Sequence, residues 1–247
     1  MLKARAIADE LMDADDLDAG TYHAVLSDLA KVNRVTLACR PTIKFLRQVR
    51  DRFDDLRRAK VLSRFPRAKP RFAMVPIKLL DVGFGAGDSL RTTYIKSRGI
   101  VPQFVGIDLN PKSAALAYSL TPKWWEIEYK TGDYRDLSGE GWDVIVSSLV
   151  AHHMTREQLV DFIRFMDAES KLGWFINDLH RHGFAYFGFP LLATLMRWHP
   201  IVRHDGQLSI ARSYRPREWP AILAEAGVTD ATITRKFPFR LCVSKIR

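Results

Sequence analysis

One ten-residue run, Leu79-Leu80-Asp81-Val82-Gly83-Phe84-Gly85-Ala86-Gly87-Asp88, constrains this chain more than any other. An apolar strand delivers an acid and three alternate glycines into a single tight turn. Backbone without a Cβ at Gly83, Gly85 and Gly87 reaches positive φ and lets a ligand approach closely, which suits a nucleoside cofactor. A dinucleotide fold uses G-x-G-x-x-G and holds a pyrophosphate at the helix N-terminus. Here the spacing is D-x-G-x-G-x-G, and Asp81 would meet that phosphate with like charge. A cationic ligand matches the turn better.

Three more elements follow in order. Phe104-Val105-Gly106-Ile107-Asp108-Leu109-Asn110-Pro111 reads as a second buried strand ending in an acid suited to accept from both hydroxyls of a ribose. Thr131-Gly132-Asp133-Tyr134 follows a third strand, and Trp142-Asp143-Val144-Ile145-Val146-Ser147-Ser148 is a fourth. Together the four resemble the motifs of the class I methyltransferases that use S-adenosylmethionine. The resemblance implies an α/β, Rossmann-like doubly wound sheet of seven mainly parallel strands with an antiparallel last strand. It also implies S-adenosylmethionine as cofactor and S-adenosylhomocysteine as product. Asp81 with Gly83, Gly85 and Gly87 would then serve the methionine end, Asp108 the ribose, and Asp133 with Tyr134 the adenine, with Leu109 also among the cofactor-binding residues. Ser148, at the end of the fourth strand, completes the expected cofactor set.

The remaining sequence suggests additions to that core. Residues 1–70 read as helical, and Pro66-Arg67-Ala68-Lys69-Pro70 interrupts the pattern. We therefore expect an N-terminal helical cap over 1–70 and a methyltransferase core over 71–247. Strands are expected at 77–82, 103–108, 126–130, 143–148 and 174–178, with closing strands at 229–235 and 239–245. Thr155 and Gln158 form a capping box for a helix through Ala168. Residues 180–213 are an insertion whose aromatic and aliphatic side chains must be buried or must bury something, as a packed helix or as a substrate lid.

Composition narrows the setting. A chain of 247 residues with 47% hydrophobic content makes one or two domains with an ample core. No apolar run reaches the roughly 18 residues a bilayer span needs, and an acidic N-terminus does not resemble a secretion signal, so a cytoplasmic protein is expected. Cys39 and Cys242 lie too far apart for metal or redox spacing. The net charge of +10 concentrates between Lys31 and Arg71, where fourteen Lys and Arg face three acids. Apolar residues recur there at helical intervals, so a solvated basic helix face is one reading. Contact with an anionic membrane or an acyl-carrier protein through residues 31–71 is another. Nucleic acid is the less favoured partner, because the Asn/Asp-Pro-Pro-aromatic signature of base methylation is missing after strand four.

The sulfonium donor is already activated, so the protein must align the acceptor and remove its proton. Histidine suits that task for a phenol. Six of the seven histidines follow strand four. His152 and His153 follow that strand, His180 and His182 follow strand five, and His204 precedes Asp205; any of the five could serve. Asp178 with His180 or His182 could instead hold a divalent ion, although no second acid stands beside it, and no metal is expected. The histidine loops and the apolar insertion resemble bacterial quinone, phenol and polyketide methyltransferases. They imply O-methylation of a hydrophobic phenolic or polyketide-like metabolite. C- or N-methylation of a quinone or amine, a non-catalytic cofactor-binding partner protein, and an RNA methyltransferase are the alternatives.

Overall fold

The computed structural model describes residues 2–14, 16–67, 77–97 and 103–247. Seven strands make one sheet: β1 (Lys78–Val82), β2 (Gln103–Asp108), β3 (Ile127–Thr131), β4 (Val144–Ser148), β5 (Gly173–Leu179), β6 (Thr232–Lys236) and β7 (Arg240–Ile246). Their spatial order is β3-β2-β1-β4-β5-β7-β6. The first five run parallel, and β7 lies antiparallel to both β5 and β6. This is the doubly wound, Rossmann-like sheet the sequence implied. The first five strands fall within one residue of their expected limits. Their near-continuous burial marks strands covered on both faces, with Leu79, Leu80, Val144 and Ile145 all at 0% exposure.

Two helical layers provide that cover. On one side α5 (Arg156–Glu169) and α8 (Trp219–Glu225) bury Leu159, Phe162, Ile163, Met166, Trp219 and Ile222 against Leu80, Ile145 and Ile176. Each such side chain contributes roughly 1.5–3 kcal/mol when fully removed from water. The entry of α5 is fixed by the expected capping box: the Gln158 amide donates to Thr155 Oγ1 at 3.2 Å, and the Thr155 amide donates to Gln158 Oε1 at 2.9 Å. On the other side lie α2 (Arg40–Arg64), α3 (Asp88–Lys96) and α4 (Pro111–Ser119). Phe45 of α2 stacks on Phe175 of β5 with centroids 4.8 Å apart, and Leu46 and Val49 complete the contact. The N-terminal region therefore supplies one layer of the sheet through α2, while α1 (Ala19–Val35) stands over the strand ends. Arg40, Lys44, Arg47 and Arg52 lie on the exposed side of α2. The expected boundary after Pro70, and Lys69 and Arg71 of the basic segment, lie outside the described residues.

The insertion at 180–213 is a pair of helices, α6 (Gly183–Leu195) and α7 (Pro200–Arg212). Arg197 at φ +55° breaks the chain between them, and Pro200 starts the second at a position where its missing N–H costs nothing. Ala193, Trp198 and Val202 pack on Val25 and Val32 of α1. Among the described residues no helix is long and apolar enough to cross a membrane.

Candidate active site

In a doubly wound sheet the ligand crevice lies beyond the carboxyl ends of the strands, where the strand order reverses. Here that point lies between β1 and β4, and a cavity of about 720 Å³ opens there. The glycine turn after β1 forms one wall. Gly83, Gly85 and Gly87 have φ of +78°, +55° and +72°. A Cβ on Gly83 would sit 2.2 Å from Val150 Cγ2, so this position excludes a side chain on two grounds. Gly83 and Gly85 line the cavity, whereas Gly87 lies behind it, starting α3 beside the Tyr129 hydroxyl.

Two acids define the polar end. Asp81 is 3% exposed, and burial, followed by the nearby Asp88 and Asp108, pushes its carboxyl up to about 8. No cationic group of the protein contributes to that shift. A buried acid in this state is suited to receive a cation brought by a ligand. Asp108 is held by two amides, Gly85 N–H donating to Oδ2 at 2.8 Å and Asn110 N–H to Oδ1 at 2.9 Å. Each oxygen keeps a lone pair for a further donor. Leu109, 73% exposed, stands at the rim. Tyr134 and Ser148 line the cavity too. Asp133 does not: its carboxylate accepts from Arg135 Nε at 3.0 Å and Nη2 at 2.6 Å, and that pairing holds its pKa below the ordinary range.

The histidines separate. His152 and His153 line the cavity; His180, His182 and His204 do not. The turn after β4 brings His152 against the end of β5, where it is 2% exposed. Its Nδ1 lies 2.7 Å from Asp178 Oδ1, and its amide donates to Asp178 Oδ2 at 2.8 Å. Burial alone would raise Asp178, but His152 and the amide donors outweigh it and hold the carboxyl below its usual value. An ionised Asp178 can only accept, so Nδ1 carries the proton and Nε2 the lone pair. Nε2 has no hydrogen-bond partner and faces Glu10 Oε1 at 3.7 Å. His180 is turned toward His182, with ring centroids 5.3 Å apart, and burial and neighbouring cations lower its pKa. His182 caps α6, its Nδ1 accepting from the Phe184 amide. His204 does pair with Asp205 at 2.8 Å, yet Asp205 uses the same carboxylate to accept the amides of Leu11 and Met12 at 3.0 and 2.9 Å.

Those amides belong to an N-terminal strap that sequence reasoning read only for its charge. Arg5 donates to the carbonyls of Arg212, His152 and Met154, and to the Tyr214 hydroxyl. Glu10, 5% exposed, accepts from Ser209 Oγ at 2.7 Å, and burial raises its pKa. Glu10, His152 and His153 offer possible metal-ligand atoms within 4.8 Å of one another, but Arg212 Nη1 lies 3.7 Å from the same Glu10 oxygen, where it opposes a cation. Asp178, occupied by His152, is not free to ligate with His180 or His182. Arg240 was also missed. It is 2% exposed and lines the cavity; Nη2 donates to Thr36 Oγ1, while Nε and Nη1 have no partner.

Residues 79–168 match the family model described as a methyltransferase domain. The matched segment runs from β1 to the last turn of α5 and includes the acid-glycine turn, and the sheet order is that of the Rossmann-like methyltransferase fold. The fold is similar to that of the plantazolicin methyltransferase BpumL in complex with a pentazolic desmethylPZN analogue and SAH. That match has 16% identity and a TM-score of 0.52, covering 84% of this chain and 99% of that one. A SAM-dependent methyltransferase from Aquifex aeolicus matches at 17% identity and a TM-score of 0.50, over 75% of this chain and 87% of that one. Human N-acetylserotonin methyltransferase in complex with SAM matches at 13% and 0.50, over 68% of this chain and 47% of that one. No curated protein matches the sequence.

The residues present fit the cofactor. Asp81 would hold the methionyl ammonium, Asp108 the ribose hydroxyls, and the two unpartnered donors of Arg240 a carboxylate. When bound, S-adenosylmethionine supplies a methyl group on a sulfonium leaving group.

Proposed function

We propose that this protein is an S-adenosylmethionine-dependent methyltransferase that acts on a hydrophobic small molecule, transferring the methyl group to an oxygen such as that of a phenol, with His152 as general base. The observation that carries the reading is that His152, which lines the same cavity as Asp81 and Asp108, has Asp178 behind it at 2.7 Å. Asp178 fixes the tautomer and ring plane. The proton of the acceptor hydroxyl passes to Nε2, and the imidazolium so formed stands between the carboxylates of Asp178 and Glu10. A general base of this kind supports roughly 10²–10⁴-fold of rate.

The rest of the cavity favours an apolar acceptor. Val25, Leu26 and Leu29 of α1 line it together with Phe189 and Leu192 of α6. Two neighbours in fold carry acceptor names in keeping with small molecules, plantazolicin and N-acetylserotonin. The test is incubation with methyl-labelled S-adenosylmethionine and lysate from a strain lacking the protein. Label in the organic extract is the expected result, and label recovered only on precipitated RNA or protein would overturn the reading.

A further inference from the structure

The two faces of α6 are both apolar, yet only one is covered. Ala185, Gly188, Phe189 and Leu192 line the cavity, and Ala193 is fully buried. The adjoining outward stripe presents Phe184, Phe187, Leu191 and Leu195, which are 79%, 66%, 74% and 77% exposed. Their spacing of three, four and four residues places them in one stripe along the helix. Phe184 belongs to both sets, since it also lines the cavity, so the stripe begins at the cavity mouth. His182 extends the patch: its ring stacks on Phe184 at 5.6 Å and on Phe239 at 5.1 Å. Beside Phe239 in the β6–β7 turn, Phe237 is 85% exposed. A continuous apolar ridge open to water marks a binding surface rather than an incidental side chain.

Charge identifies what the ridge fits. No Asp or Glu occurs from Leu179 to His204 or from Ala231 to Arg247. Arg197 and Arg203 are exposed at the far end of α6, where Arg203 Nη1 reaches Thr194 Oγ1 at 3.4 Å. Arg235 and Lys236 adjoin Phe237 at the other end. Apolar side chains bracketed by cations, in two segments that contribute no acid of their own, complement a surface that is negative outside and hydrocarbon beneath. A second copy of the chain does not fit as well, because a two-fold contact through this face would set the cations of these two segments against one another.

We propose that the α6 ridge and the Phe237 turn dock on the surface of an anionic lipid bilayer. Phe184, Phe187, Leu191, Leu195 and Phe237 enter the acyl boundary while Arg197, Arg203, Arg235 and Lys236 meet headgroup phosphates. The cavity mouth at Phe184 then faces the lipid, and an acceptor dissolved there reaches the site without crossing water. The docking surface does not depend on the identity of the acceptor or of the base. It is distinct from the basic face of α2, whose buried side packs on the sheet.

The test is flotation of the full chain with vesicles of equal parts phosphatidylglycerol and phosphatidylcholine, beside vesicles of phosphatidylcholine alone. Binding is expected to the anionic vesicles, to weaken as salt rises, and to fall by at least about tenfold in the double variant Phe187→Glu/Leu191→Glu. Neither of those residues lines the cavity, so calorimetric binding of S-adenosylhomocysteine should stay unchanged and reports that the variant folds. A wild-type chain that stays off anionic vesicles overturns the proposal. So does sedimentation showing a dimer that the double variant dissociates. Because no methyl transfer is measured, the result stands apart from the assignment of the acceptor.

Discussion

Asp178 grips both the ring and the main chain of His152, with Oδ1 2.7 Å from Nδ1 and Oδ2 2.8 Å from the amide nitrogen. Asp178→Asn removes the charge that fixes the tautomer while keeping the shape. We expect turnover of the acceptor to fall about 10²–10⁴-fold, with S-adenosylhomocysteine affinity nearly unchanged. A matching loss in affinity would mean that Asp178 serves the cofactor instead. The pH profile separates positioning from structure: loss of the rising limb in the variant ties Asp178 to the proton step.

Asp81 links cofactor binding to pH. Its folded pKa of about 8 lies above the ordinary value of 3.8, so its contribution to apo stability is complete below the ordinary value and is lost as pH rises through 8. Between those two values, stability changes by about 1.4 kcal/mol for each pH unit. Asp81→Asn should therefore raise the melting temperature of the apo protein at pH 8 and have little effect at pH 4. The same substitution should weaken S-adenosylhomocysteine binding more than about tenfold, through the lost ion pair. Wild-type binding near pH 7 should release a proton, detected by calorimetry in buffers of different ionisation enthalpy. Buffer-independent heats would contradict this assignment.

Arg240 supplies a second handle on the cofactor. With Nε and Nη1 unpartnered and its pKa lowered by burial, it gains most from an arriving carboxylate. Arg240→Met should weaken S-adenosylhomocysteine by roughly 1.5–3 kcal/mol, yet leave 5′-methylthioadenosine, which lacks the carboxylate, unaffected. Equal losses for both ligands would place Arg240 in the fold alone.

Gly83 meets two constraints together. At φ +78° and with Val150 Cγ2 2.2 Å from its missing Cβ, Gly83→Ala should lower stability by at least the 1–2 kcal/mol or so of the left-handed conformation. The double variant Gly83→Ala/Val150→Ala relieves the clash and should recover only part of that loss. Thermal denaturation checks both, and full recovery would show that backbone strain contributes nothing.

Much of the architecture was legible because it rests on local pattern. Apolar runs that end in Asp81, Asp108 and Ser148 are strands whatever surrounds them, since only a sheet covered on both faces buries them. Thr155 and Gln158 cap α5 through atoms three residues apart. The positions of Asp81 and Asp108 on the cavity wall follow from the same strands.

The grouping of the histidines was not legible. Five candidates look equivalent in sequence, and only folding sets His152 against Asp178, 26 residues away, while leaving His180, His182 and His204 outside the cavity. Glu10 and Arg5 carry no motif and reach the site across about 140 residues of chain or more. The aromatic content of residues 184–198 announced something to bury, but not which face stays bare. Sequence alone determined the strands and the acid-glycine turn, because these depend on neighbours along the chain. Tertiary structure alone decided which histidine has a carboxylate behind it and which face of α6 meets water, because both depend on what distant segments bring to the same point in space.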